Sequence, residues 1–460
     1  MRDHLRGLPL GAIALLALLS GGCLDNTGIT PPGREFNFPI AGRLWPADAP
    51  THLLVANTNF DLRYNGGTLS TWSLTRLDEC LLTCSEMGIA GEDCYVTDII
   101  RPGSDEVACP GLFKSEVIID SFAADIALSP AGDRVYVPVR SSSELFQVEL
   151  ASDGTLSCGP DRRCDDSHQG VDDSVAREQG LTLPVDPVGI YVGSASADLG
   201  LPEGSGDYVL LSHREGATSL LSAGTPGTQA SLIHVRKDFA PNLASVSRDP
   251  ASGLMWIPSA SRPAIDRVGV AADDRSILSE SFLYDAGSLP LRGIDTGAAG
   301  YGDARQVVFD PRGLHQAYVL SRQPRALFIV APDESQDGVE LRGEVDVGSG
   351  PSRVTVAVLR AGTPAEHTLA FVSCFDSRDV YIIDVDAPRL VSVYRGVSGP
   401  FDLAVDPVTE QLYITDFRAS VIRVVDITPT LDCLAGSASG ECTPRQLGML
   451  GRPRAIVELR

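Results

Sequence analysis

Positively charged residues are scarce in this sequence of 460 residues. Lys and Arg number 37 against 60 Asp and Glu, which gives a formal net charge of −23. Proteins that bind nucleic acid attract its phosphates with clustered Lys and Arg, so this balance excludes a general nucleic-acid interface. An acidic surface favours solubility and carries no information about the fold.

Several catalytic motifs are also absent. The sequence has no G-x-S-x-G elbow, no H-E-x-x-H, no phosphate-binding P-loop and no C-x-x-C-H haem site. The seven histidines are scattered along the chain. His213 ends an apolar run and could face a pocket, although a structural role is the favoured interpretation. No catalytic constellation is visible.

One short unit recurs four times along the chain. It consists of an apolar strand, an Asp-Pro or Ser-Pro turn, and a strand with an aromatic residue six or seven positions after the proline. The copies run from Ile126 to Tyr136, Val246 to Trp256, Val307 to Tyr318 and Leu403 to Tyr413. Proline presets φ at the first corner of a tight turn, and the preceding Asp or Ser can bond the turn backbone. Recurrence at roughly 50–60 residues indicates a modular array.

Third and fourth strands follow in most copies, and four antiparallel strands form one blade of a β-propeller. The predicted fold is therefore all-β, a single propeller with seven blades of four strands. The predicted first strands begin near Phe122, Asp186, Pro241, Asp303, Pro351, Pro400 and Pro453. An alternative is a pair of β-sandwiches whose turns are similar by coincidence.

The two ends of the chain predict how the ring closes. His52 to Asn57 looks like a second strand and Thr71 to Leu74 like a third, but no first strand is apparent before them. Residues 451–459 look like a first strand without a second. We expect this C-terminal strand to complete the N-terminal blade, which removes an exposed sheet edge.

The repeats resemble the YVTN-type β-propeller family, which is related to lactonase-like and surface-layer propellers. The matching residues are Gly399-Pro400, Leu403 to Pro407, Leu412 to Ile414 and Val424 to Asp426. The resemblance is good over roughly residues 300–460, recognisable at 122–150 and weak at 186–240. It implies the propeller fold, but propellers have many unrelated activities.

Residues 1–22 have the pattern of a signal peptide, with a basic start and an apolar run from Leu8 to Leu19 that is short for a permanent membrane span. The small residues before Cys23 resemble a bacterial lipoprotein box. This resemblance implies cleavage before Cys23 and a diacylglycerol on its thiol, so that the membrane is a partner. Leu24, rather than an Asp, follows the cysteine, which favours the outer membrane of the cell envelope. The alternative is an ordinary secreted protein.

The remaining chain divides into two parts. Residues 23–50 are rich in Pro, Gly, Asn and Thr and are predicted to be a flexible tether. Residues 51–460 are predicted to form the propeller, with cysteine-bearing insertions at 76–114, 152–179 and 429–444.

Ten cysteines in an exported chain indicate disulfides. Eight of them fall in even numbers in the three insertions: Cys80, Cys84, Cys94 and Cys109; Cys158 and Cys164; Cys433 and Cys442. Cys158–Cys164 and Cys433–Cys442 are the natural local pairs, whereas pairing among the first four stays open. Zinc is the alternative for those four, but their spacing lacks short C-x-x-C knuckles. Cys374 lies in an apolar strand and is predicted to be a buried free thiol.

Each insertion follows a third strand and precedes a fourth. All three are therefore expected on one face of the ring, together with the Asp-Pro turns, and disulfides would stabilise these long loops.

Two groups of charged residues could bind a ligand. The first is an acidic loop that could hold calcium, although it lacks the register of an EF-hand and a solvated loop is the favoured interpretation. Its carboxylates are Asp161, Asp165, Asp166, Asp172 and Asp173. No other cofactor is predicted.

The second group occupies comparable places in the first strands, which line the central channel of a propeller. Its members are Asp125, Arg305, Arg353, Asp402 and Arg454. They are candidate ligand-binding residues. The alternative is that they pair with one another, for example Asp402 with Arg353 or Arg454.

These observations favour a lipid-anchored envelope propeller that is not an enzyme and that binds a protein, peptide or glycan partner. The alternative is a lactonase-like hydrolase with a channel metal or carboxylate site. A quinoprotein-like redox propeller is less favoured, because the chain has only three tryptophans and no repeat of them.

Overall fold

The computed structural model describes residues 28–99, 106–165, 169–170, 182–224, 229–272, 275, 277–291, 302–333, 338–436 and 442–454. The predicted signal peptide and Cys23 lie outside the described residues.

Nearly all regular structure in the described chain is β-strand. The first strands in chain order are β1 (Pro39–Trp45), β2 (His52–Asn57), β3 (Gly67–Ser73), β4 (Tyr95–Thr97), β5 (Val107–Ala108), β6 (Phe113–Ile119), β7 (Ala127–Leu128), β8 (Arg134–Val139), β9 (Glu144–Leu150), β10 (Leu156–Ser157) and β11 (Gln169–Gly170). The next are β12 (Pro187–Ser194), β13 (Asp207–His213), β14 (Ala217–Gly224), β15 (Ser231–Arg236), β16 (Ser247–Arg248), β17 (Met255–Pro258), β18 (Ala264–Ala272), β19 (Ser281–Pro290), β20 (Ala304–Phe309), β21 (Ala317–Ser321), β22 (Ala326–Asp333) and β23 (Gly338–Asp346). The last are β24 (Pro351–Leu359), β25 (His367–Cys374), β26 (Asp379–Asp384), β27 (Arg389–Arg395), β28 (Pro400–Asp406), β29 (Gln411–Asp416), β30 (Val421–Asp426) and β31 (Arg445–Leu450).

Helical segments are short. In the described part of the chain they are α1 (Leu74–Glu86), α2 (Ala195–Leu199), α3 (Thr428–Leu434) and two 3₁₀ turns, Gly91–Asp93 and Leu278–Glu280. Within the described ranges, none of these helices has the length and hydropathy needed to cross a membrane.

The described strands form seven sheets along the chain. Sheet 1 has the order β1-β2-β3-β6, and sheets 3 to 6 each contain four consecutive strands, β12–β15, β16–β19, β20–β23 and β24–β27. Sheet 2 contains β7 to β10 and also β11, which pairs with β9. Sheet 7 contains β28 to β31, extended by β4 and β5. Sheets 2 and 7 thus contain the four predicted strands and also carry additional strands, because segments of two insertions pair at their outer edges.

Together these sheets form a single β-propeller of antiparallel four-stranded blades, as predicted. The first strand of each sheet is the inner one. Strand β1 packs against β28, β28 against β24, and β24 against β20, so that inner strands of neighbouring sheets meet around the centre. Residues of the inner strands therefore line the central channel.

The repeated aromatic residue has a packing role. Tyr136, Trp256, Tyr318 and Tyr413 are all buried on the second strands of their sheets. Each joins a cluster that includes apolar residues of the following sheet; Tyr413, for instance, packs in one cluster with Leu53 of sheet 1. The fixed spacing from the proline thus places one large side chain between each of these pairs of sheets, where its burial stabilises the ring.

The Asp-Pro turns bond as the sequence predicts. A carboxylate oxygen of Asp249 accepts from the amide of Ala251 at 3.0 Å, and one of Asp310 accepts from Arg312 at 2.8 Å. The phenol of Tyr318 donates to the other Asp310 oxygen at 2.6 Å. The turn is therefore tied to the aromatic position of its own repeat.

Six of the seven predicted blade starts are confirmed, since inner strands follow Phe122, Asp186, Pro241, Asp303, Pro351 and Pro400. The seventh, Pro453, is wrong: residues 451–454 contain no strand, and 455–460 lie outside the described residues. The inner strand of sheet 1 is instead β1, which lies inside the predicted tether 23–50. Most of β1 is buried, so that its burial outweighs the Pro- and Gly-rich composition of the surrounding sequence.

All four disulfides of the described chain lie in the insertions, as predicted. Cys158–Cys164 and Cys433–Cys442 are paired, and the first four cysteines pair as Cys80–Cys109 and Cys84–Cys94. The zinc alternative for those four is therefore wrong. Cys374 is a buried free thiol, also as predicted.

Helix α1 shows how the first insertion folds. It begins at the Ser73 cap, whose hydroxyl accepts from the Arg76 amide at 3.4 Å. The buried side chains of the helix recur at helical spacing and are Leu74, Leu77, Cys80, Leu81 and Cys84. Beyond the helix, β4 pairs in parallel with β31 of sheet 7. The insertion of sheet 1 therefore covers the outer edge of sheet 7.

The first insertion shares a face with the Asp-Pro turns, as predicted. Gln411 is the first residue of β29 and follows such a turn. Its side-chain Nε2 donates to a carboxylate oxygen of Asp78 on α1 at 3.1 Å. In an antiparallel blade, the turn between strands one and two lies at the same end as the turn between strands three and four. The second insertion extends to the opposite end, where Arg163 Nη2 donates to the carbonyl oxygen of Asn65 in the β2–β3 turn at 2.9 Å. The expectation that all three insertions lie on one face is therefore wrong for the second insertion.

Candidate functional site

A repeated backbone hydrogen bond defines the channel end opposite the Asp-Pro turns. In every sheet, the residue after the second strand donates its amide to the carbonyl oxygen of a residue just before the inner strand. The pairs, with N–O distances of 2.8–3.1 Å, are Thr58–Phe38, Arg140–Phe122, Arg214–Asp186, Ala260–Asn242, Arg322–Asp303, Phe375–Gly350 and Phe417–Gly399. We call the seven donors the rim residues. Their side chains are set at equivalent places around one mouth of the channel.

A cavity of about 390 Å³ opens at this mouth. Its volume is in the range of small-molecule sites. The charged lining residues are Arg140, Arg214, Arg305, Arg322 and Arg353. The apolar ones include Ile40, Val188, Leu243 and Phe401. Arginine dominates the polar side of the cavity although the whole chain is strongly acidic.

Two of these arginines share one carboxylate. Arg140 donates two hydrogen bonds to Asp186, one of them from Nη2 to Oδ2 at 3.3 Å, and Arg214 Nε lies 3.9 Å from the same oxygen. Partial burial, together with the nearby positive charge of Arg140, lowers the pKa of Arg214. The single carboxylate of Asp186 therefore pairs with two guanidinium groups. This side of the cavity has one more positive charge than negative charges.

The same arrangement recurs two sheets further on. Arg305 Nη2 donates to Asp303 Oδ2 at 2.8 Å, and Arg322 Nε donates to the carbonyl oxygen of Pro351 at 2.9 Å. Burial, followed by the charge of Arg305, lowers the pKa of Arg322. No carboxylate of the described chain forms an ion pair with Arg322. Asp303 and Asp376 attract Arg322 only at longer range, so its guanidinium is less compensated than that of Arg305.

The remaining cavity arginine is neutralised. Arg353 Nη2 lies 3.1 Å from Asp125 Oδ2. Asp125 also pairs with Arg43 at 2.5 Å, and Arg43 reaches Asp402 Oδ2 at 2.6 Å. Two arginines and two carboxylates thus form one buried network beneath the cavity. It joins inner strands of sheets 1, 6 and 7 with the start of sheet 2.

The candidate channel residues thus fall into three groups. Asp125 pairs directly with Arg353, and Arg43 links Asp125 to Asp402. Arg43 was not among the candidates, because it lies in the segment that the sequence predicts to be a tether. Arg305 lines the cavity beside Asp303. Arg454 does not line it: its guanidinium donates to Asn37 Oδ1 at 2.6 Å. The alternative considered from the sequence, that these residues pair with one another, is confirmed for Arg353 and Asp125, whereas Asp402 pairs with Arg43 and not with Arg353 or Arg454.

The acidic loop is only partly described. Asp161 and Asp165 lie in the described chain, whereas Asp166, Asp172 and Asp173 lie outside it. Among the described residues, no three His, Cys, Asp or Glu side chains are grouped so that they could hold a metal ion. Calcium binding by this loop stays a prediction.

Three important arginines escaped the sequence analysis. Arg140, Arg214 and Arg322 each follow directly after a second strand. Their signal is positional, since aligning the repeats on the end of the second strand places all three in register. His213, which precedes Arg214, is buried and its Nε2 lies 2.9 Å from the Ser219 hydroxyl, so its structural role is confirmed.

Comparison with known proteins shows similarity in fold only. No protein-family model matches the chain, and no curated relative matches it. Among solved structures, a candidate 6-phosphogluconolactonase from Bacteroides fragilis aligns with a TM-score of 0.53 and 12% identity over 86% of this chain and 92% of that one. Hydrazine synthase of Kuenenia stuttgartiensis aligns with a TM-score of 0.51 and 11% identity over 88% and 98%. A protein from Lactobacillus plantarum gives 0.50 and 13% over 84% and 92%. The shared feature is the β-propeller.

Proposed function

We propose that this protein is a propeller hydrolase that binds a small anionic substrate in the cavity at the rim. The observation that carries the proposal is the excess of guanidinium groups there: four arginines (Arg140, Arg214, Arg305 and Arg322) face two carboxylates. Guanidinium groups bind carboxylates and phosphates through paired hydrogen bonds. A cavity whose guanidinium groups outnumber the carboxylates paired with them is therefore suited to an anion.

The same residues can promote hydrolysis of a lactone or related ester. In this proposal Asp186 or Asp303, each paired with a cavity arginine, accepts a proton from water as the water oxygen attacks the carbonyl carbon. The neighbouring guanidinium groups stabilise the negative charge that develops on the carbonyl oxygen. The ring oxygen then leaves and takes up a proton, so that the product is a hydroxy acid. The fold likeness to the B. fragilis candidate lactonase supports this reaction class.

A scaffold for a protein or glycan partner is the less favoured function. The polar groups of the rim converge on a cavity of about 390 Å³, which suits a small molecule better than an extended partner.

The test is hydrolysis of a panel of lactones, with and without phosphate or carboxylate substituents, by the purified mature chain. Arg214→Gln and Arg322→Gln should each lower kcat/KM at least tenfold, since each removes a group that binds the anion. Arg389→Gln is the matched control, because Arg389 is exposed in β27 and pairs with Asp384 away from the cavity. Absence of both lactone hydrolysis and anion binding would overturn the proposal.

We also propose that the seven sheets are seven blades of one closed ring. Support comes from the amide of Gly42 in β1, which donates to Asp402 Oδ2 in β28 at 3.0 Å. Slow hydrogen exchange at the Gly42 amide, accelerated in Asp402→Asn, is the expected observation. Rapid exchange in the wild-type protein would contradict closure at this point.

Lipidation of Cys23 and outer-membrane placement remain our proposal for localisation. The four disulfides support export, because disulfides persist in oxidising compartments. In a bacterial host, the wild-type protein should partition with membranes and Cys23→Ala should be released to the soluble fraction. Equal partitioning of the two proteins would contradict lipidation of Cys23.

A further inference from the structure

The rim has two chemically different halves. Arginine occupies the rim position in sheets 2, 3 and 5, as Arg140, Arg214 and Arg322. Phenylalanine occupies it in sheets 6 and 7, as Phe375 and Phe417. Because the sheets follow one another around the ring, the guanidinium groups and the aromatic rings lie on different arcs of the same mouth.

The aromatic arc is a continuous cluster. Phe417 contacts Phe38, Phe60, Phe375 and Phe401, with ring centroids 5.0 to 6.1 Å apart. Phe60 also meets the ring of Phe122 at 6.0 Å, which extends the cluster to six phenylalanines. Their rings reach from the wall of the cavity to the surface.

Part of this cluster is accessible. Phe401 itself lines the cavity, opposite the arginines of the other arc. Phe60 is 46% exposed, and Phe122 and Phe375 are half-buried. An exposed aromatic group beside a charged cavity costs solvation free energy, and such apolar surface often marks a binding site.

Two of the phenylalanines have an unfavourable backbone conformation. Phe38 has φ 55° and Phe122 has φ 65°, in the left-handed region that suits glycine and asparagine. The equivalent positions in sheets 3, 4 and 6 carry Asp186, Asn242 and Gly350, residue types that adopt this conformation more readily. Aromatic residues at these places carry conformational strain and persist where surrounding structure or function requires them.

We infer that the substrate carries an aromatic or similarly apolar substituent beside its anionic group. The anion lies against Arg214, Arg305 and Arg322, and the substituent lies against Phe401 and the cluster behind it. This inference rests on the proposed anion site and adds the second half of the ligand. A molecule with only one of the two groups leaves one arc of the rim unoccupied.

Paired ligands test the inference. Calorimetry on the mature chain would compare methyl phosphate with phenyl phosphate, and butyrate with 4-phenylbutyrate; benzyl alcohol serves as the neutral aromatic probe. We expect each phenyl-bearing anion to bind at least tenfold more tightly than its matched partner. Benzyl alcohol should bind far more weakly than phenyl phosphate, because it lacks the charge.

Variants assign the preference to the aromatic arc. Phe401→Leu keeps an apolar side chain of similar volume, and Phe60→Ser changes a largely exposed one, so both should fold. Each should lower the phenyl preference at least threefold and leave methyl phosphate affinity unchanged. Val408→Ser is the matched control, since Val408 is 70% exposed in a turn at the other end of the propeller.

The outcomes separate the two proposals. If methyl phosphate binds through Arg322 but phenyl phosphate binds no more tightly, the aromatic inference is wrong and the anion site stands. If benzyl alcohol binds and methyl phosphate does not, the anion site is wrong. If no probe binds, both proposals fail.

Discussion

Arg43 Nη2 lies 2.5 Å from Asp125 Oδ1, and this contact joins β1 to the start of sheet 2, 82 residues further along the chain. The other arm of the same guanidinium reaches Asp402 at 2.6 Å. Burial opposes the charged form of Arg43, but the carboxylates of Asp402 and Asp125 raise its pKa overall. One side chain from the N-terminal strand therefore compensates two carboxylates that are 7% and 3% exposed.

Replacing Arg43 tests how much this network stabilises the ring. Arg43→Met should lower the free energy of unfolding by about 3 kcal/mol, because it leaves two buried carboxylates with fewer partners. Arg43→Lys should recover only part of the loss, since an ammonium group cannot span both acids. Urea unfolding followed by circular dichroism gives the values. Wild-type stability in Arg43→Met would show that the network is dispensable.

The propeller itself could be predicted from the sequence because its cause is local and repeated. The Asp-Pro turn and the aromatic position have the same spacing in four copies, and each copy places one ring between sheets. Disulfides within short loops, such as Cys158–Cys164, could be predicted for the same reason. In these cases the residues that matter are close together in the chain.

Features that depend on distant parts of the chain could not be predicted. Strand β1 is stabilised by burial against β2 and β28. The proline and glycine residues that precede it in the sequence do not indicate a strand. The parallel pairing of β4 with β31 joins segments from opposite ends of the chain. The cavity arginines lie on four different sheets, and only the ring brings them to one mouth.

The pairing of the first four cysteines leads to a prediction about stability. Loss of Cys80–Cys109, in Cys80→Ala/Cys109→Ala, should lower the free energy of unfolding by about 3–4 kcal/mol, because it opens a loop between cysteines 29 residues apart. Cys433→Ala/Cys442→Ala is the control and should cost about 1 kcal/mol less, since its loop spans 9 residues. Denaturant unfolding under non-reducing conditions measures both. A larger loss for the shorter loop would contradict the expected order.

His213 should make stability depend on pH. Burial lowers the pKa of His213 to about 4, from an ordinary value near 6.5. Between these values the unfolded chain binds the proton and the folded protein does not, so the free energy of unfolding rises with pH across this window. Acidification from pH 7 to pH 4 should therefore remove on the order of 3 kcal/mol through this residue.

The measurement compares wild-type protein with His213→Gln, whose amide can still bond the Ser219 hydroxyl. Other groups contribute to the pH dependence of both proteins, so the difference between the two curves isolates His213. The variant should lose less stability than wild type between pH 6.5 and pH 4. Parallel curves would show that the pKa of His213 is the same in the folded protein and in the unfolded chain.

Asp303 separates binding from hydrolysis at the proposed site. Its carboxylate pairs with Arg305 at 2.8 Å, and it therefore competes with a bound anion for the same guanidinium. Asp303→Asn should bind methyl phosphate about threefold more tightly, because the added positive charge is no longer compensated. The same change should lower kcat for lactone hydrolysis at least tenfold, since the amide cannot take a proton from water.

Two comparisons make the Asp303 result decisive. Asp384→Asn removes a carboxylate that pairs with the exposed Arg389 far from the cavity, and it should change neither quantity. Raising the salt concentration should weaken methyl phosphate binding to the wild-type protein and to Asp303→Asn, because screening reduces the attraction of all the cavity arginines. Tighter binding with unchanged kcat would assign the base to Asp186 instead. Unchanged binding would show that Arg305 does not face the anion.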